Sequence, residues 1–201
     1  MYVITVDQVD SRSTPDAVGT AITALTGRLG ERLVLPPERT AGDEFQLLLA
    51  EPAATLDTVL HLTRAGRWSV GCGVGAVREP LPRDIRESAG DAFVGARAAV
   101  ERAKKKPSRF ALEAPAGADA AARLEAIIDL LLATRSRRSA EGWELYDRLA
   151  AGRTQSAAAA ELGITPQAAS LRAQAADLKV ETAVTGALVT LLAELDAEVG
   201  S

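Results

Sequence analysis

Two short acidic blocks stand beside strand-like runs in the first quarter of the chain. Asp7 directly follows the apolar run at residues 2–6, and Asp43 follows Gly42 ahead of a second apolar run. If the two strands are neighbours in one sheet, these carboxylates meet at the same edge. Carboxylate oxygens are ligands that Mg²⁺ prefers, and this ion often shares them with a substrate phosphate. The pattern predicts Asp7 and Asp43 as metal ligands.

The elements that would position these carboxylates alternate between strand and helix. Apolar runs predict strands at residues 2–6, 33–40, 45–50, 68–77 and 108–113. Helical spacing of apolar residues predicts helices at 16–33, 53–62 and 88–105. The resulting order, β-α-β-β-α-β-α-β, predicts an α+β sandwich with its helices on one face of a mainly antiparallel sheet. Gly71, Gly73 and Gly75 in the strand at 68–77 would relieve crowding beneath a helix.

The remainder of the chain is rich in Ala and Leu and predicts an all-α domain. Pro115 and Gly117 predict a linker at residues 113–119 between a first domain, residues 1–112, and a helical domain, residues 120–201. Helices are expected at residues 119–135, 140–151, 155–162, 166–178 and 181–199.

Within this domain, residues 154–178 have the pattern of a helix-turn-helix. Thr154 and Thr165 stand where each would cap a helix, and Pro166 occupies the first position of the second helix. Gly163 follows the first helix, where a left-handed residue ends it. Small residues, Ala159 and Ala169, stand where the two helices approach each other. The pattern resembles the helix-turn-helix of sigma factors and response regulators, and the alternative is an Ala-rich bundle with a glycine corner.

The second helix of this pair would enter the major groove of DNA, with polar side chains near its start reaching base edges or phosphates. The predicted DNA contacts are Gln155, Thr165, Gln167, Ser170, Arg172 and Gln174.

The charge balance does not favour tight binding to phosphates. The formal net charge is −4, and residues 113–201 contain 8 Lys/Arg against 13 Asp/Glu. Affinity for DNA depends on clustered cations. We therefore expect Arg135, Arg137 and Arg138 to supply the additional positive charge by folding toward the DNA-binding face.

The acidic blocks also carry a family resemblance. Residues 41–49, with the block Gly-Asp-Glu-Phe-Gln, and the glycine-rich run at 68–75 resemble the core of the palm-like nucleotide cyclases, which include class III nucleotidyl cyclases and GGDEF diguanylate cyclases. In those families one Asp ends the first strand and another lies in the hairpin, and both hold metal ions. The resemblance carries these roles to Asp7 and Asp43, and places Glu44 at the acidic position of the signature.

A closer resemblance is to the SatD family of small bacterial proteins. It covers most of residues 1–112 through the opening at residues 6–12, the Gly-Asp-Glu-Phe-Gln block and the helix at 90–104. Taken together with the resemblance to the cyclases, it implies a palm-like or ferredoxin-like domain that binds a nucleotide-type ligand with Mg²⁺. The ligand contacts it implies are Ser11, Arg12, Glu44, Gln46, Arg97 and Lys104. Arg97 matches the helical Arg of class III cyclases, but no Asn precedes it at the expected spacing, which disfavours cyclisation and leaves catalytic residues unassigned.

These observations give two main functional hypotheses. The first is a DNA-binding transcription regulator, a homodimer, whose N-terminal domain senses a nucleotide-type ligand or mediates dimerisation. The second is a metal-dependent, cyclase-like enzyme acting on nucleoside triphosphates. A structural or adaptor dimer with a degenerate site is the third.

Cysteine and histidine usage limits other classes of site. Cys72 and His61 are the single residues of their types, so an intrachain disulfide is impossible and a structural zinc site is disfavoured. No apolar stretch approaches the roughly 20 residues that span a bilayer, and Met1 leads straight into a strand-like run without a basic leader. We expect a cytoplasmic protein with no membrane partner.

Overall fold

A computed structural model describes residues 1–200. It is a mixed α+β structure whose elements follow the predicted order closely. The elements are β1 (Tyr2–Gln8), α1 (Val18–Leu29), β2 (Leu33–Ala41), β3 (Glu44–Leu49), α2 (Pro52–Thr63), β4 (Trp68–Val74), α3 (Asp91–Ala103), β5 (Phe110–Glu113), α4 (Ala118–Ser136), α5 (Ala140–Ala150), α6 (Gln155–Glu161), α7 (Pro166–Ala175) and α8 (Leu178–Val199). Among residues 1–200, no helix is both long and apolar enough to cross a bilayer.

The chain divides into two compact units. Unit 1 comprises residues 1–129 and the chain from Leu188 onward, and unit 2 comprises residues 130–187. This division does not coincide with the predicted boundary at residues 113–119. The first part of α4 and the last part of α8 belong to unit 1 because their apolar side chains are buried there, among them Leu124, Ile128, Leu192 and Leu195.

The predicted linker is a tight connection. Only residues 114–117 separate β5 from α4, and the Gly117 N–H donates to the Ala114 carbonyl at 2.9 Å. Ala114 is fully buried, and a Cβ on Gly117 would lie 2.7 Å from Cγ1 of Val199. Pro115 and Gly117 therefore mark a turn that packs within unit 1.

Unit 1 contains a five-stranded sheet with the order β2-β3-β1-β4-β5. The first three pairings are antiparallel and the β4–β5 pairing is parallel, which confirms a mainly antiparallel sheet. β1 lies at the centre, where Asp7 is opposite Glu44 of β3 and Ser69 of β4. The carboxylate at the end of β1 is therefore flanked on both sides by backbone.

One face of the sheet is covered by α3. A Cβ on Gly71 would lie 2.2 Å from the Val100 nitrogen, so α3 approaches β4 more closely than any side chain would permit. Val3 of β1 and Leu48 of β3, which lie opposite each other in the sheet, pack with Ala92 and Ala96 of α3. The prediction that glycines in this strand relieve crowding beneath a helix is confirmed for Gly71 and Gly73.

The opposite face is also covered, contrary to the predicted placement of helices on one face only. Tyr2, Ile4 and Val6 of β1 point away from the α3 face and are fully buried. Helices α1 and α2 contact the strands but, within residues 1–200, contribute nothing to the α3-side cluster. The Tyr2 hydroxyl donates to the Leu192 carbonyl at 2.9 Å. The sheet is thus buried on both faces, and every side chain of β1 from Tyr2 to Val6 is fully buried.

Unit 2 contains α5, α6 and α7 around a small core. Leu145, Ala158, Ala159 and Ala169 are buried together in it. Ala159 and Ala169 pack inward as predicted, since larger side chains would hold the short helices apart. Helix α7 ends at Ala175, earlier than the predicted Leu178, because Asp177 has a left-handed backbone (φ 54°) that breaks the helical path.

Candidate functional site

The two acidic blocks lie at one edge of the sheet in unit 1. The Gln8 N–H donates to the Asp43 carbonyl at 3.0 Å, directly after the pairing of Asp7 with Glu44. Strands β1 and β3 are therefore neighbours, as the sequence analysis required. We refer to Asp7, Asp43, Glu44 and the side chains that contact them as the acidic edge.

The Asp7 carboxylate is held by a lysine. Lys104, at the C-terminal end of α3, places its Nζ 3.0 Å from Oδ2 of Asp7 and 2.8 Å from Oε1 of Glu101. Burial raises the pKa of Asp7, Lys104 opposes this shift, and the charges of Asp43 and Glu44 add to it. Burial lowers the pKa of Lys104, but its bonds to Glu101 and Asp7 outweigh burial and the net shift is upward. Lys104 is therefore a fixed cation of the acidic edge.

Asp43 has a different environment, although it belongs to the same edge. The Ser11 hydroxyl donates to Oδ2 of Asp43. This bond lowers the pKa of Asp43, burial opposes the shift, and the positive charges of Lys104 and Arg12 assist it. Asp43 stays ionised, and Ser11 and Arg12 lie close enough to act on its charge.

Glu44 and Gln46 follow on β3. Glu44 accepts a hydrogen bond from Thr40 Oγ1 at 2.6 Å, and Nη2 of the largely exposed Arg97 lies 3.8 Å from its Oε1. Gln46 is buried, and its Nε2 donates to Thr5 Oγ1 at 2.9 Å. Of these predicted ligand contacts, the Arg97 side chain is exposed and can reach a ligand, whereas the Gln46 amide is hydrogen-bonded within the sheet.

A cavity of about 300 Å³ adjoins the acidic edge. The sequence analysis missed Arg39, which lines it and donates to the Gly42 carbonyl and to Asp16 Oδ2, the latter at 2.7 Å. No motif marks Arg39, which lies in the segment at residues 33–40 that was predicted only as a strand. The other lining residues are Gln8, Ser11, Asp16, Gly42 and Asp43.

The acidic edge, as the side chains are placed, does not fit a magnesium site. Mg²⁺ takes about six oxygen ligands at about 2.0–2.1 Å in a nearly octahedral shell. At Asp7 the Nζ of Lys104 lies 3.0 Å from Oδ2, so an ion bound to that oxygen would have to displace the ammonium. Within residues 1–200, no group of three or more His, Cys, Asp or Glu side chains is arranged to hold a metal ion.

In unit 2, the predicted DNA contacts fall into two groups. Gln155, Ser170 and Gln174 are exposed and line one groove of about 460 Å³ together with Lys179. Gln167 is also exposed on α7. The other group makes contacts within the protein: Thr165 caps α7 by accepting from the Ala168 N–H at 3.1 Å, and Arg172 is partly buried with Nη1 3.8 Å from Oε2 of Glu144.

The predicted contribution of Arg135 and Arg138 to a positive DNA-binding face is wrong. Both side chains are buried and both donate to the buried carboxylate of Glu181. Their guanidinium carbons lie 4.8 and 4.4 Å from the centre of the Trp143 ring, a cation–π arrangement. Only Arg137 of the three is exposed. The positions of Arg135 and Arg138 in the sequence did not indicate that both would be buried against Glu181 and Trp143.

Comparison with protein families, with curated proteins and with solved structures finds no match for this chain. The resemblance to the SatD and cyclase families therefore depends on the motifs quoted above.

Proposed function

We propose that the protein is a DNA-binding transcription regulator in which unit 2 contacts DNA and unit 1 binds a nucleotide-type ligand. Two copies would bind two half-sites, as is usual for recognition helices of this kind.

The pair α6 and α7 carries this proposal. Thr154 accepts from the Ala157 N–H at 3.2 Å, as Thr165 does from the Ala168 N–H, so each helix begins at a threonine cap. Gly163 takes the left-handed conformation (φ 65°) at the turn between the helices. These features support a helix-turn-helix with α7 as the recognition helix.

The outward surface of α7 is suited to base edges. Gln167, Ser170 and Gln174 are exposed along it, and the amide of Gln can pair with N6 and N7 of adenine. Leu171 lies beside them and is 66% exposed, and an apolar side chain there can contact a thymine methyl group. The surface of α7 is mainly uncharged. Contacts to bases, rather than contacts to phosphates, would therefore distinguish one DNA sequence from another.

The topology of unit 1 supports a palm-like, ferredoxin-like domain. The element order from β1 to β4 and the strand order β2-β3-β1-β4 are those of a split βαβ arrangement. In this proposal an anionic ligand binds at the acidic edge. Its positive partners are Arg12, Arg97 and Lys104, and the Ser11 hydroxyl is a hydrogen-bond donor. Helix α4, which contributes residues to both units, is the element through which the ligand would act on DNA binding.

A metal-dependent cyclase is the less favoured function. Two-metal phosphoryl chemistry needs both carboxylates to face the ions, and the ion pair between Lys104 and Asp7 opposes this at one of them.

Selection of DNA by the full chain tests the proposal. The protein is incubated at low salt with duplexes that carry a randomised central segment, and the enriched sites are measured by fluorescence anisotropy with and without ATP or GTP. We expect an enriched site, a loss of specificity in Gln167→Ala/Gln174→Ala, and no change in the matched control Gly19→Ala/Gly27→Ala on α1. If no sequence is enriched at low salt, the regulator proposal fails and the adaptor function takes its place.

A further inference from the structure

Lys104 and Asp7 form an ion pair at the end of β1 in unit 1. The Asp7 side chain is 15% exposed and the Lys104 side chain 33%, so the pair is largely shielded from water. Glu101, the other partner of Lys104, is 62% exposed and lies on the outer side. The inner contact is therefore the one between the ammonium and the carboxylate at the end of β1.

The other two carboxylates of the acidic edge also have protein partners. Asp43 accepts from Ser11, and Glu44 accepts from Thr40 and faces Arg97. Lys104 acts on Asp43 as well, because its charge is one of those that stabilise the Asp43 carboxylate. Lys104 thus pairs directly with Asp7, and its charge also acts on the neighbouring Asp43 carboxylate.

We infer that Lys104 takes the place of the divalent cation, so that the acidic edge excludes metal ions. Two charges of the same sign repel strongly in a site shielded from water. A Mg²⁺ ion at Asp7 would have to displace an ammonium that Asp7 and Glu101 both stabilise. The exclusion of metal ions does not depend on the proposed function. Only one consequence rests on it, namely that a nucleotide-type ligand at this edge would bind without a metal ion.

Manganese binding to the full chain tests the exclusion directly. Bound Mn²⁺ is measured by electron paramagnetic resonance in the wild type, in Lys104→Met and in the matched control Lys105→Met, whose side chain is exposed next to Lys104. We expect only weak Mn²⁺ binding, equal in the wild type and in the control. Lys104→Met should bind Mn²⁺ about tenfold more tightly or better, since it loses a like charge but keeps Asp7 and Asp43. The gain should disappear in Lys104→Met/Asp7→Asn.

Two results would overturn the inference. One is a wild-type Mn²⁺ site that Asp7→Asn removes, and this measurement does not depend on the folding of any lysine variant. The other is a folded Lys104→Met, checked by circular dichroism, that binds no more Mn²⁺ than Lys105→Met.

A nucleotide arm separates this inference from the proposed function. ATP and GTP are titrated into the wild type by calorimetry in EDTA and in Mg²⁺. Equal affinity in the two buffers supports the metal-free site. Binding that requires Mg²⁺ refutes the inference and leaves the ligand proposal standing. If neither nucleotide binds in either buffer, the ligand proposal fails for these nucleotides, and the manganese measurements alone decide the exclusion.

Discussion

Gly73 lies so close to Ala92 that a Cβ atom on Gly73 would be 1.9 Å from the carbonyl oxygen of Ala92. The approach is between two backbones, so no side-chain rotation can relieve a clash there. It brings α3, and with it Arg97 and Lys104, down onto the face of the sheet that carries Asp7. The positions of Arg97 and Lys104 therefore depend on the absence of a Cβ atom at residue 73.

Gly73→Ala should destabilise the protein by about 3 kcal/mol or more, because α3 must move off β4. Gly19→Ala is the matched control: a Cβ there meets nothing within 4 Å, and the residue lies within α1. That change should stabilise the protein by about 0.5–1 kcal/mol through helix propensity. Urea unfolding followed by circular dichroism measures both, and equal effects of the two substitutions would contradict the account.

Glu125 predicts a pH dependence of stability. Its buried carboxylate accepts from the Leu112 N–H at 2.7 Å and from Lys106 Nζ at 2.6 Å, and Arg102 bonds to it as well. Burial raises its pKa, but the Leu112 N–H, Lys106 and Arg102 outweigh burial and the net shift is below the ordinary value of 4.5.

Because the folded-state pKa of Glu125 is depressed, its stabilisation is present above pH 4.5 and is lost as the pH falls through the folded-state pKa. Glu125→Gln should cost about 2 kcal/mol near neutral pH, and the difference from the wild type should shrink in acid. Unfolding free energies measured from neutral pH down to the acid limit of folding check this. A difference that stays constant with pH would show that the charge of Glu125 is not what stabilises it.

Glu181 balances two buried guanidinium groups in unit 2. Glu181→Gln would leave Arg135 and Arg138 without their shared countercharge, which should cost about 3–5 kcal/mol. Arg137→Gln, an exposed neighbour, should change stability by less than about 0.5 kcal/mol. Chemical unfolding of the full chain measures both. The two guanidinium groups also lie 5.2 and 5.1 Å from the centre of the Tyr146 ring. If Glu181→Gln is as mild as the control, the two arginines are stabilised mainly by the rings of Trp143 and Tyr146.

Helix α4 predicts an association surface. Ile127 and Leu130, one turn apart, are 40% and 69% exposed. If two copies pair through this stripe, Leu130→Glu should convert a dimer to a monomer in light scattering, because a carboxylate would be buried unpaired. Ala122→Glu, also exposed on α4, should leave the dimer intact. A wild type that is monomeric at all accessible concentrations would exclude this surface.

The local pattern of the chain was sufficient to predict most elements. Alternating and continuous apolar runs located all five strands, and threonine, proline and glycine marked both ends of α6 and the start of α7. These signals act within a few residues, so they can be read from the sequence. The end of α7 was missed because Asp177 adopts a left-handed conformation that the chemistry of Asp permits but does not require.

Contacts between distant segments were harder to predict. The motifs indicated that Asp7 and Asp43 share an edge, and the family resemblance placed Lys104 at the same site as a ligand contact. Neither showed that Lys104 would pair with Asp7 itself, across 97 positions of sequence. Arg135 and Arg138 read as surface cations because Arg is usually exposed. Their burial depends on Glu181, which lies in another helix. Ion pairs of this kind follow from tertiary packing and not from local spacing.

The salt dependence of DNA binding provides a test of which cations face the DNA. Lys179 is exposed and lines the groove beside Ser170 and Gln174, whereas Arg86 is exposed in unit 1 and pairs with Asp84. The slope of log affinity against log salt is negative, and each phosphate contact that is lost reduces its magnitude by about 0.9. Lys179→Ala should therefore reduce the magnitude of this slope by about 1, and Arg86→Ala should leave it unchanged, in anisotropy titrations with the selected duplex. If Arg86→Ala has the larger effect, DNA binds to unit 1, and α7 is not the recognition helix.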